Sequence, residues 1–235
     1  MAKITVLGSG GWGMALAISA FNNRNRVTLW SPFQTEVDLL KEKRTNEKLL
    51  RGIFLPDGIE ITTDMSVVEG SGLTIIATPS TVIRDVANKL SNQKNFGIVV
   101  NVSKGIEKGS LKFLSEVIKE EIPDSTVVAL SGPSHAEEVA RNIPTSIVAA
   151  SDSLAASQVV QDIMSSDTLR VYTSGDLKGA ELGGAMKNVI AIAAGFCDGL
   201  GLGDNTKAAL ITRGLAEMTR LGICMGAKEY TFSGL

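Results

Sequence analysis

The chain has 235 residues, of which 44% are hydrophobic and 20% charged, and its formal net charge is −2. Such a chain forms one large domain or two small ones around a real core. The absence of a basic excess argues against a nucleic-acid partner.

The opening Met1-Ala2-Lys3 runs straight into an apolar strand pattern, without a signal peptide's long apolar region. No stretch has the length of a membrane span; the apolar run Val189 to Ala194 is short and is broken by Gly195 and Asp198. Cys197 and Cys224 make no disulfide framework. Both sit in apolar helical patterns and are expected as small buried hydrophobes in a protein of the reducing cytoplasm.

In chain order, Ile4 to Leu7 reads as a buried strand, Trp12 to Asn22 as a helix and Val27 to Trp30 as a second strand. Gln34 to Lys43 reads as a helix of mixed charge, and Thr45 to Asp64 as irregular. Next come a strand at Leu73 to Ala77, a helix at Ser80 to Leu90, a strand at Ile98 to Val102 and a helix at Leu111 to Glu121. A strand at Thr126 to Leu130 precedes a helix starting near His135. Ser146 to Ala150, Leu154 to Ser165 and Arg170 to Thr173 read as strand, helix and strand. Regular alternation predicts an α/β fold, its parallel sheet covered on both faces. After about Asp176 the strand pattern ends, and Gly179 to Phe196 and Thr206 to Gly222 read as helices. The expected division is therefore residues 1–178 and 179–235, the second part entirely helical. There is no internal repeat and no low-complexity tract.

Gly8-Ser9-Gly10-Gly11-Trp12-Gly13 matches G-x-G-x-x-G between the first strand and the first helix. Gly8 permits a tight turn, Gly10 lets the backbone approach a pyrophosphate, and Gly13 lets the helix pack close to the strand. The helix N-terminus adds free N–H groups and a positive dipole end. With a second strand following at the right distance, the pattern predicts a bound dinucleotide. An acidic residue at that strand's end would favour NAD, and a basic one NADP. Trp30 is followed instead by Ser31-Pro32-Phe33, and Glu36 lies beyond the expected position. Arg24 and Arg26 precede the strand and read as solvated turn residues. NAD and NADP both stay open, the lack of a basic residue favouring NAD. Thr78 and Pro79 can line the nicotinamide half, or simply lead into a helix capped by Ser80.

Two lysines are placed for chemistry. Lys104 follows Asn101-Val102-Ser103 at the carboxyl end of a strand, where open α/β sheets bind ligands; the alternative is a solvated loop lysine. Lys187 sits among small and apolar residues in Gly183 to Ile190. Burial or a neighbouring positive charge there would lower its pKa into a range useful for proton transfer; the alternative is a lysine snorkelling off an apolar helix. Gly132-Pro133-Ser134 can present a backbone N–H and a hydroxyl to a phosphate, or be a turn with Ser134 as N-cap and Glu137 three residues on. His135, the one histidine, reads as a structural residue at a helix start.

Together these motifs resemble the bacterial-type NAD(P)-dependent glycerol-3-phosphate dehydrogenases. The resemblance rests on Gly8 to Gly13, Val102 to Glu107, Ser131 to Glu137, and the long pattern Gly184-Ala185-Met186-Lys187-Asn188 through Gly195, then Gly203-Asp204-Asn205-Thr206-Lys207-Ala208 to Arg213-Gly214. It implies a Rossmann-type, mostly parallel sheet followed by an all-α domain, incomplete here. It also implies interconversion of sn-glycerol 3-phosphate and dihydroxyacetone phosphate, feeding phospholipid synthesis. By resemblance Gly8, Gly10, Gly11, Trp12, Gly13, Phe33, Lys104 and Ala136 would contact the cofactor. Lys104, Gly132, Ser134 and Lys187 would hold substrate, with Lys187 as proton donor and acceptor.

The sequence departs from the family's pattern in two places. Many members carry basic residues where Pro32 and Phe33 stand, which places NADP use in question. The chain ends at Thr231-Phe232-Ser233-Gly234-Leu235, where the family continues into an Asp and later an Arg-Asn pair that bind substrate. Roughly a hundred family residues would follow, a second domain of ordinary size. Two other readings therefore stand beside an active dehydrogenase: a catalytically impaired dinucleotide-binding fragment, and a related hydroxy-acid dehydrogenase. Apolar faces on the helical part are expected to be covered, and a homodimer through residues 179–235 is the expected solution.

Overall fold

A computed structural model describes residues 1–233. Strands β1 (Lys3–Leu7), β2 (Arg26–Trp30), β3 (Glu60–Thr62), β4 (Leu73–Ile76), β5 (Ile98–Asn101), β6 (Val127–Ser131), β7 (Thr145–Ala150) and β8 (Leu169–Ser174) form one sheet. Its order is β3-β2-β1-β4-β5-β6-β7-β8. The chain reverses its direction of travel across the sheet between β1 and β4, and such a switch point opens a ligand crevice at the strands' carboxyl ends.

The sheet is almost pure apolar sequence. β1 and β4 are buried on both faces, as strands covered by helices must be. On one face α1 (Gly11–Asn22), α2 (Gln34–Lys43), α5 (Ala136–Ala140) and α6 (Leu154–Met164) bury side chains such as Met14, Leu40, Val139 and Val160 in a single core. On the other, α3 (Ile83–Ser91) and α4 (Leu114–Glu121) contribute Val86, Leu90, Val117 and Ile118.

Several sequence expectations are corrected. β7 pairs antiparallel with β6, and β8 runs parallel to β7, so the last two strands oppose the first six. The cause is the short link after β6: α5 has five residues and rises only about 7.5 Å, too little to carry the chain back for a parallel return. The irregular segment contains β3, which adds to the sheet's edge beside β2. Leu111 does not begin a helix. It takes a left-handed φ of 59° within a small hairpin bridged by Ile106 and Phe113, and α4 starts at Leu114. Ser80 is the first residue of a 3-10 turn, with Pro79 at the capping position.

The last two helices are α7 (Leu177–Gly199) and α8 (Gly203–Cys224). The first two turns of α7 are buried, with Leu177, Ala180, Glu181, Leu182 and Gly184 all inside. Buried Asp176 caps α7 through the Gly179 N–H at 3.1 Å, and it also accepts from the Lys228 N–H at 2.9 Å and the Thr231 hydroxyl at 2.6 Å. Beyond Gly184, α7 leaves the sheet and pairs with α8, where Gly214 accommodates Ile190. That departure explains the cysteines: Cys197 is half-buried and Cys224 exposed, contrary to the expected burial. Among the described residues no helix is long and apolar enough to cross a membrane.

Candidate active site

Three of the four glycines in the turn after β1, Gly8, Gly10 and Gly13, differ in what excludes a side chain. A Cβ on Gly8, whose φ is +124°, would lie 2.6 Å from the Ala77 carbonyl oxygen at the end of β4. A Cβ on Gly13 would overlap the carbonyl oxygen of Gly8, so this glycine lets α1 lie against β1. Gly10 is different: a Cβ there would meet no protein atom within 4 Å. Its extended backbone (φ −67°, ψ 170°) also permits any residue. Protein packing does not require this glycine, whereas close approach of a phosphate to the start of α1 would.

Beside it a cleft of about 370 Å³ is lined by Gly10, Gly11, Trp12, Thr78, Pro79, Val102, Lys104 and Ser134, among others. Trp12 Nε1 and Thr78 Oγ1 are buried without a hydrogen-bond partner. A bare glycine backbone, a helix N-terminus and two unpaired polar atoms on lining residues fit a dinucleotide. Two features were not legible in the sequence. The loop between α2 and β3 closes over the turn, so that a Cβ on Gly11 would lie 2.6 Å from the Leu49 carbonyl oxygen and 4.0 Å from Ala136. The Glu36 carboxylate also reaches back from α2 to Ser9 in the turn itself, at 2.6 Å. Phe33 precedes α2 and is 60% exposed.

The two lysines arrive from distant segments. Lys104, just past β5, points its Nζ at the Gly132 carbonyl oxygen (3.3 Å) and the Ser134 hydroxyl (3.2 Å) beyond β6. A Cβ on Gly184 of α7 would lie 3.5 Å from Lys104 Cγ, so a glycine on α7 leaves room for the lysine's stem. Burial, and secondly the charge of Lys187, push the Lys104 pKa down to about 8. Lys187 stands one turn beyond Gly184. It lines a second cavity of about 410 Å³ together with Ser131, Gly132, Gly184, Thr173 and Tyr230. Lys104 thus lines the cleft, with the Gly132–Ser134 turn at its tip.

Here the sequence expectation is corrected. Lys187 is exposed, with its Nζ 3.0 Å from Asn188 Oδ1, because α7 has already left the sheet; the half-buried lysine is Lys104. Ser134 is not a cap either. His135 takes the N-cap position of α5, its exposed ring paired with Glu137 at 2.8 Å, which leaves the Ser134 hydroxyl facing Lys104. Sequence reasoning also missed Glu181, a buried carboxylate on α7. It accepts from the Ser115 N–H (2.9 Å) and hydroxyl at the start of α4, and burial pushes its pKa up to about 7.

A Rossmann sheet, a glycine turn shaped for a pyrophosphate and two lysines at the strands' carboxyl edge define a nicotinamide-dinucleotide dehydrogenase. The family model described as the NAD-dependent glycerol-3-phosphate dehydrogenase N-terminus matches residues 3–157, and the model of the same family's C-terminus matches residues 176–235. The chain belongs to this family. It is 49% identical to glycerol-3-phosphate dehydrogenase [NAD(P)+] of Desulfitobacterium hafniense, the alignment covering 100% of the chain and 67% of that protein. It is also 49% identical to the Bacillus pumilus enzyme of the same name, covering 100% and 70%. The crystal structure of glycerol-3-phosphate dehydrogenase from Coxiella burnetii superposes with a TM-score of 0.93 at 36% identity, covering 100% of this chain and 72% of that one. Membership in this family sets aside the hydroxy-acid dehydrogenase reading.

Proposed function

We propose that the chain is an oxidoreductase that interconverts sn-glycerol 3-phosphate and dihydroxyacetone phosphate with NAD or NADP, supplying glycerophospholipid synthesis. The observation that carries this is Lys104 on the Gly132–Ser134 turn, with Lys187 lining the adjoining cavity that includes Gly132, beside a glycine turn whose Gly10 is bare for a reason outside the protein. Residues 1–178 act as the dinucleotide-binding unit, and 179–235 begin the helical substrate unit.

In this reading Gly8, Gly10, Gly11 and Gly13 hold the pyrophosphate over the N-terminus of α1, with Trp12 walling the cleft and Ala136 close beside Gly11. Phe33 offers an exposed face to the adenine. The dinucleotide, when bound, accepts or supplies the hydride. Lys104, cationic below pH about 8, places its ammonium beside the Ser134 hydroxyl, so both can donate to an anionic substrate oxygen. Gly132 keeps the backbone open there with a φ of +138°. Lys187, at the rim of the adjoining cavity, gives a proton to the developing alkoxide in the reducing direction and takes it back in the other. Glu181 holds α7 to α4 and so fixes where Lys187 stands.

The test is dihydroxyacetone-phosphate-dependent oxidation of NADH and NADPH, with Lys187→Ala as control. Turnover abolished by that change supports the reading. Binding of NADH without turnover supports the second reading, a dinucleotide-binding unit. Free cysteines suit a cytoplasmic enzyme. Exposed Val189, Ile192, Phe196 and Leu200 form an apolar strip through which a second copy docks; a monomer at every concentration in sedimentation would refute the dimer.

A further inference from the structure

We propose that Glu36 reads the adenine ribose and makes this chain select NAD over NADP, an inference that rests on the dinucleotide reading of the Gly8–Gly13 turn. In open α/β folds a carboxylate at the end of the second strand hydrogen-bonds the ribose 2′-hydroxyl. Here that end is Ser31, and the carboxylate comes instead from the first turn of α2. The local geometry delivers it to the same place. β2 lies beside β1 with Trp30 opposite Leu7, and the Gly8 N–H donates to the Trp30 carbonyl at 2.9 Å. Ser9 and Ser31 are therefore neighbours, and both are buried. Their hydroxyls donate to the same oxygen, Glu36 Oε2, at 2.6 and 2.7 Å. Ser31 Oγ in turn accepts from the Phe33 N–H at 3.4 Å. Among the described residues Glu36 Oε1 has no protein donor, so one oxygen is anchored and the other is free to accept a hydroxyl.

A 2′-phosphate would meet the opposite environment. Ser31 to Thr35 contains no lysine or arginine. The positive end of α2, which would otherwise attract the phosphate, carries Glu36 in its own first turn.

The test is direct binding of NADH and of NADPH to the full chain by titration calorimetry, for the parent and for Glu36→Gln. The parent is expected to bind NADH at least about 30-fold more tightly, equal to about 2 kcal/mol. Glu36→Gln is expected to cut that ratio by about tenfold or more, mainly by strengthening NADPH. A parent that binds NADPH as tightly as NADH, or a ratio unchanged in Glu36→Gln, overturns the inference while leaving the dehydrogenase reading intact. A parent that binds neither coenzyme overturns the underlying reading as well. A measurement on the parent alone guards against a misfolded variant. Added salt screens repulsion between Glu36 and a 2′-phosphate, so the NADH preference should narrow as ionic strength rises. A preference that widens would mean that cations, not a carboxylate, face the 2′ position, and would overturn the proposal.

Discussion

Gly10→Ala and Gly13→Ala are the same chemical change three residues apart, and the structure predicts opposite failures. At Gly10 the backbone is already extended and the space beyond it holds no protein atom within 4 Å. Alanine should gain about 0.4–1 kcal/mol by restricting the unfolded chain and lose a comparable amount because it is a poorer N-cap than glycine. The midpoint of thermal unfolding should thus move by no more than about 2–4 °C. The added methyl, however, occupies the ground a pyrophosphate needs. Loss of one hydrogen bond to a charged group is worth about 1.5–3 kcal/mol, so NADH affinity should fall roughly 10- to 150-fold. At Gly13 the new Cβ overlaps the carbonyl oxygen of Gly8, and α1 must shift off β1. That helix buries every residue from Gly13 to Ala20. Overpacking of this kind costs about 3 kcal/mol, or about 6–12 °C in a chain of this size. Thermal unfolding and calorimetric NADH titration of both variants read the two effects separately. A Gly10→Ala protein that binds NADH like the parent, or a Gly13→Ala protein as stable as the parent, would refute the division of labour among these glycines.

Further predictions concern the titrating groups and the proton donor. Lys104→Met should stabilise the chain at neutral pH, because native Lys104 has its pKa pushed from 10.5 to about 8 by burial and by the charge of Lys187. The full shift corresponds to about 3.4 kcal/mol, discounted to about 1–2 kcal/mol for partial solvent screening. The gain should hold below pH about 8, shrink as native Lys104 loses its proton between 8 and 10.5, and vanish above; urea unfolding across that range checks it. Glu181 is displaced the other way, from 4.5 to about 7, so the native state holds the proton longer than the unfolded chain. Parent stability should fall as pH rises through that window, and Glu181→Gln should flatten the fall. Lys187→Ala should leave thermal unfolding within about 0.5 kcal/mol of the parent, since the side chain is exposed, while lowering turnover by about 100-fold or more. Unfolding curves alongside steady-state rates test both halves.

Much of this was legible in the residues because it depends on local pattern. The Gly8–Gly13 turn, the apolar strands around it, and the lysines at strand and helix ends all declare themselves within a few residues of sequence. What was hidden depends on contacts between segments far apart in the chain. Glu36 lies past the end of β2 in sequence, yet a helical first turn brings its carboxylate back to Ser9 and Ser31. Lys187 had the apolar neighbours of a buried lysine, but those neighbours face α8 and solvent once α7 leaves the sheet, and burial falls on Lys104. β3 escaped because three residues with one buried side chain carry too little periodicity to separate a strand from a loop. The reversal at β7 is set by the brevity of α5, which a helical pattern near His135 did not delimit.

In the dehydrogenase reading a dinucleotide in the cleft and Lys187 at the rim of the adjoining cavity act on one three-carbon phosphate. That reading is tested most directly by following NADH absorbance as dihydroxyacetone phosphate is added to the parent chain and to Lys187→Ala. NADH oxidation is expected from the parent and at least about 100-fold less from the variant, with both binding NADH equally. Undiminished turnover in Lys187→Ala, or a parent that does not bind NADH, would contradict it.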